Sequence, residues 1–139
     1  MPADARSASP PPPLANLQIF GTRRCAGTRQ AERFFKERRV TFQLIDISLK
    51  GPSAGELRKI AQAVGGADKL LDRDGKRYLD RGLKYAAPTG PRIEQALLDD
   101  PLLLRTPIVR AGDPSGKNHV RVTVGVVPEI WALWLKQHV

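Results

Sequence analysis

Two short apolar runs, Leu17-Gln18-Ile19-Phe20 and Phe42-Gln43-Leu44-Ile45-Asp46-Ile47, stand on either side of one helix-length segment. That arrangement leaves few folds open. A hairpin joins its strands through a handful of residues, whereas here the connection carries a helix from about Thr28 to Arg38. Ala31, Phe34 and Phe35 fall on one face of it by i, i+3, i+4 spacing. Strands joined through a helix lie parallel, and the crossover is right-handed.

Further along, Ser53 and Glu56 fit a capping box, followed by Leu57, Ile60, Ala61 and Val64 at helical spacing and by the stop signal Gly65-Gly66. The polar stretch from Lys69 to Leu83, anchored by Leu70, Leu71, Tyr78 and Leu83, reads as a small helical insertion. Pro91 opens a helix through Ile93, Ala96 and Leu97 that closes at Asp100-Pro101. Residues 106–110 and 119–125 read as the strands of a hairpin whose turn covers 111–117. Pro128 begins a last helix with Ile130, Trp131, Trp134 and Leu135, the two tryptophans serving the core. The order β-α-β, helical insertion, β-β-α predicts an α/β chain with a mixed sheet of thioredoxin-like type.

Residues 1–16 are rich in Pro, Ala and Ser, and Pro10–Pro13 favour extended polyproline backbone. They are read as a disordered tail, with residues 17–139 as the folded domain. At 139 residues, with 41% hydrophobic and 27% charged residues, the chain suits one domain with one modest core. There is no apolar run of membrane-spanning length and no secretory h-region, and one cysteine cannot make an internal disulfide. These features predict a reduced, cytoplasmic protein. The net charge of +9 favours anionic ligands. With no basic helix or nucleic-acid motif recognised beside it, the charge is read as solvated surface, and direct nucleic-acid binding is not expected. Cys25, His119 and His138 are too few and too scattered for a metal site.

The single cysteine, Cys25, lies between the first strand and the first helix, among Arg23, Arg24 and Arg29. A lone cysteine is most often a small buried hydrophobe. At a helix start, however, unsatisfied amides and the helix dipole favour the thiolate, which is the nucleophilic form. Inward-pointing arginines would add to that. The run Cys25-Ala26-Gly27-Thr28 is CxxT, with no second cysteine to resolve an intermediate. Any disulfide must therefore form with an outside thiol. Thr28 is placed to bond the sulfur, to cap the helix, or both.

The segments IFGTRRCAGTRQAERFFKERRVTFQLIDIS, GELRKIAQAVG, LLDRDGKRYLDRGL, LLDDPLLLRTPIVR and VGVVPEIW, in this order, resemble the arsenate reductase ArsC-like family, which includes the Spx-type regulators. The resemblance covers about residues 17–136. It implies a thioredoxin-like fold with a helical insertion, Cys25 as nucleophile and Pro107 as a cis proline facing it. The three oxyanion-holding arginines of arsenate reductases fall, without gaps, on Asp72, Thr106 and Val127, with Arg73 and Arg105 beside the first two. Thr106-Pro107 itself resembles the cis-proline loops of glutaredoxin-like proteins. The implied function is a monothiol oxidoreductase with Cys25 and Thr28 catalytic. Arg24, Arg29, Arg73, Arg105, Thr106 and Pro107 would bind substrate, no cofactor is bound, and glutathione or a glutaredoxin is the reductant. The alternatives are an arsenate reductase with a non-standard arginine set, or an Spx-like regulator contacting RNA polymerase.

Overall fold

The computed structural model describes residues 15–82, 90–112 and 121–136. Four strands form one sheet in the order β2-β1-β3-β4. They are β1 (Ala15–Gly21), β2 (Gln43–Asp46), β3 (Ile108–Gly112) and β4 (Arg121–Val124). β1 and β2 pair in parallel, with Ile19 opposite Leu44, whereas β1–β3 and β3–β4 are antiparallel. The helices are α1 (Ala26–Glu37), α2 (Ala54–Val64), α3 (Lys76–Asp80), α4 (Gly90–Asp99) and α5 (Pro128–Lys136). This is the thioredoxin-like α/β architecture that the element order implies.

Side-chain alternation along β1 and β3 divides the core between the two sheet faces. Leu17, Ile19, Val109 and Ala111 face α1 and α5, where they meet Ala31, Phe34, Phe35, Trp131 and Trp134. Phe20 and Ile108 point the other way, towards Leu57, Ile60, Leu97 and Leu103. On the first side, Trp131 packs against Phe34 and Phe35 with ring centroids 5.3 and 5.4 Å away. Its indole N–H donates to Thr123 Oγ1 at 2.7 Å, so the buried donor is satisfied. Ile130, one turn before Trp134 at the edge of that buried side, is left partly exposed at 39%.

α2 starts as its sequence dictates. Ser53 Oγ accepts from the Glu56 amide at 3.2 Å and Glu56 Oε1 accepts from the Ser53 amide at 2.9 Å. Gly65 ends the helix at φ 92°, a left-handed cap.

Some boundaries differ from expectation. β1 begins at Ala15, two residues inside the segment read as tail. β3 starts after Thr106-Pro107 and runs through Ala111 and Gly112, residues that the sequence pattern places in the turn. Pairing to β4, with Ala111 opposite Arg121, carries the strand past its polar-looking end. Residues 1–14, Leu83, the tip of the hairpin and both histidines lie outside the described residues.

Candidate functional site

Cys25 is the N-cap of α1, with extended backbone at φ −78° and ψ 118°. The helix thus begins at Ala26, two residues before the start expected from its apolar spacing. Thr28 is therefore not a cap. It sits at N3 with its side chain fully buried. An added Cβ at Gly21 would lie within 2.7 Å of Thr28 Cγ2, so the end of β1 must be glycine for the helix to approach it.

The opposite wall comes from the run into β3. The Thr106–Pro107 peptide is cis, as the resemblance implies. The Thr106 hydroxyl donates to Cys25 Sγ at 3.1 Å, and Thr106 O lies 3.8 Å from the same sulfur. Gly125, at φ 85°, donates its amide to Pro107 O at 2.8 Å and ties this loop to the end of β4. Pro107 Cδ and Val126 Cγ2 would each lie 3.0 Å from a Cβ placed at Gly27. A side chain there would press on Pro107 and Val126, while its Cβ would stand at ordinary contact distance, 3.8 Å, from the Cys25 sulfur.

Burial pushes the Cys25 thiol up, but the hydroxyl of Thr106, the hydroxyl and amide of Thr28 and the amide of Gly27 together outweigh it. The thiol is held below its ordinary value. Thr106 supplies the formed bond. Among the described residues no partner meets hydrogen-bond geometry for Thr28 Oγ1, so its help to the sulfur is electrostatic and weaker. The amides of Gly27 and Thr28 are the orphan donors of a helix start.

The arginines expected to assist are placed otherwise. Arg23, Arg24 and Arg29 are exposed, and none of them is among the causes of the thiol's shift. Arg29 Nη1 donates to Arg23 O at 2.6 Å and so braces the loop before Cys25. Arg73 and Arg105 line a common depression of about 560 Å³ together with Lys69 and the carboxylates of Asp68, Asp72 and Asp74. The Arg105 amide donates to Leu70 O at 2.7 Å, which fixes the backbone one residue before Thr106. The structure therefore unites Cys25, Thr28, Thr106 and Pro107, pairs Arg73 with Arg105 beyond them, and leaves Arg24 on the surface. Sequence reasoning did not single out Gly27, Gly125 or Val126. The glycine inside the CxxT run and the one closing the last strand were the available signals.

Among the described residues, no group of three or more His, Cys, Asp or Glu could hold a metal ion. No helix there is long and apolar enough to cross a membrane.

No family model matches the sequence, and no curated protein does. Solved structures do match. An ArsC-family-related protein from Bacteroides fragilis superposes with a TM-score of 0.73 at 19% identity, over 87% of this chain and 98% of that one. An arsenate reductase from Vibrio cholerae gives 0.69 at 18% identity, over 91% of this chain and 99% of that one. An arsenate reductase (ArsC) related protein from Brucella melitensis gives 0.60 at 18% identity, over 87% and 95%. The fold is shared across nearly the whole of each chain.

Proposed function

We propose that the chain is an ArsC-like monothiol oxidoreductase working through Cys25, with glutathione or a glutaredoxin-type protein as reductant. One observation carries this reading. The only cysteine in the chain caps a helix and accepts a hydrogen bond from Thr106, which favours its thiolate. A nucleophile needs that ionised form near neutral pH.

The reaction follows from the inventory of thiols. The Cys25 thiolate attacks one sulfur of a substrate disulfide. The substrate S–S bond breaks, a Cys25–substrate disulfide forms, and the departing thiolate takes a proton from water. The chain has no second cysteine to finish the reaction. An outside thiol attacks the substrate sulfur of the mixed disulfide, expels Cys25 as thiolate and is left joined to the substrate. A second outside thiol breaks that disulfide, so both electrons come from outside thiols. Thr106 holds the Cys25 sulfur before attack and again as it leaves. Arg73 and Arg105 are the side chains proposed to meet the carboxylates of glutathione. A reducing cytoplasm would supply that thiol and keep Cys25 free.

The test is disulfide exchange with glutathione as the electron donor, comparing the protein with Cys25→Ser. Full activity in Cys25→Ser would sink the proposal. Arsenate reduction is a second reading, favoured by Arg105, which directly precedes Thr106 in the chain and lines one depression with Arg73, and by the fold likeness to an arsenate reductase. Arsenate turnover with glutathione and glutaredoxin that does not exceed the Cys25→Ser control removes it.

A further inference from the structure

The positive charge is concentrated rather than spread over the surface. Residues 23–39 hold seven Lys and Arg against two Glu, which is five of the chain's nine net positive charges. The segment is α1 with its two flanks, the element that presents Cys25. Cys25, Arg29, Arg33 and Lys36 follow at steps of four, four and three, the spacing of one helix face. Arg29, Arg33 and Lys36 are all exposed, with Arg24 beside Cys25 at the head of the row. The aromatic residues of α1, Phe34 and Phe35, are buried on its other side.

We infer that the row is a docking track for an acidic peptide segment of a protein whose own cysteine Cys25 attacks. The inference rests on the thiol-exchange reading above and adds the substrate class. Charge complementarity selects an anion, and continuity with Cys25 selects one that carries a disulfide. Nucleic acid has no sulfur for Cys25 to attack, and the row offers no exposed ring for a base to stack on. From Cys25 to Lys36 a helix rises about 16 Å, at 1.5 Å per residue. An extended peptide covers that length in about five residues. The track therefore reads acidic residues within about five positions of the reacting cysteine. Surface charge of this kind acts mainly on association rate, and salt screens it.

The test uses two synthetic peptides, each with one cysteine activated as a 2-thiopyridyl disulfide. One carries four Asp or Glu beside the cysteine and the other carries four Lys. Cys25 attacks the peptide sulfur, a Cys25–peptide disulfide forms, and pyridine-2-thione leaves with the electron pair and is read by its absorbance. The expected result is a second-order rate roughly tenfold higher for the acidic peptide at low salt. The two rates should converge as salt rises, and the preference should collapse in the double variant Arg33→Glu/Lys36→Glu. Equal rates at low salt, or a preference that survives the charge reversal, overturn the track and leave the exchange reading standing. Failure of Cys25 to react with either peptide overturns both. A single-stranded oligonucleotide that blocks the reaction more strongly than an acidic peptide of equal charge overturns the choice of partner.

Discussion

The Thr106 hydroxyl donates a hydrogen bond to Cys25 Sγ at 3.1 Å, across 81 residues of chain. It joins the start of α1 to the loop before β3, and it is the largest of the effects that favour the thiolate. Replacing Thr106 by Val keeps the shape and removes the donor. Hydrogen bonds to charged groups contribute about 1.5–3 kcal/mol, so iodoacetamide alkylation at neutral pH should slow by roughly tenfold or more. Thr106→Ser should keep most of the wild-type rate. An unchanged rate in Thr106→Val would show that the helix-start amides suffice.

The same shift predicts a pH dependence of stability. The thiol is held below its ordinary value in the folded protein and recovers that value on unfolding. The favoured form is the thiolate, so its contribution is complete above the ordinary thiol value. It is lost as pH falls through the lowered folded-state value. Denaturant titrations of wild type and Cys25→Ala should show the largest gap on the alkaline side, closing towards acid. A gap that widens towards acid would mean that folding favours the neutral thiol instead.

Gly21 and Thr28 should be coupled. A methyl at Gly21 collides with the Thr28 side chain, whose atoms are fixed between β1 and α1. Gly21→Ala should cost about 1–3 kcal/mol, as overpacking does. In the Gly21→Ala/Thr28→Ala double variant the two losses should fall short of their sum, measured by urea unfolding. Strict additivity would rule out the contact as the cause.

Ser53→Ala removes one half of the capping box. It should lower stability by about 1 kcal/mol. The rate of Cys25 alkylation should stay at the wild-type value, because α2 supplies none of the groups that act on the sulfur. A slowed alkylation would reveal a coupling between α2 and the site.

The buried bond between Trp131 and Thr123 gives a further check on the core. Thr123→Val leaves the indole N–H without its partner and should cost about 1–3 kcal/mol. Recovery of most of that loss in Thr123→Val/Trp131→Phe would confirm the desolvated donor as the source. A double variant as unstable as the single would point to lost packing instead.

The capping box of α2 was legible because both partners lie within four residues, Ser53 to Glu56, and their geometry follows from the helix alone. The parallel β1–α1–β2 unit was legible for a similar reason. The alternation of two short strands and the 3.6-residue stripe of Ala31, Phe34 and Phe35 allow one way to bury all three. The position of Cys25 at a helix start came from the same local pattern, although the stripe put the start late. Apolar spacing marks the buried face of a helix and says nothing of its first turn, where orphan amides decide the boundary.

What surrounds Cys25 was settled by packing. The sequence places three arginines next to the cysteine, but a long flexible cation gains little by leaving water, and Arg23, Arg24 and Arg29 stay at the surface. The sulfur takes its partner from Thr106, which reaches it only because β3 pairs antiparallel with β1 and Gly125 holds the Pro107 carbonyl. By itself the sequence determined that a single thiol would stand at a helix start in a thioredoxin-like sheet. Which hydroxyl would lower that thiol, and how far the arginines would remain from it, depended on contacts between segments far apart in the chain, and those are fixed only when both faces of the sheet are buried at once.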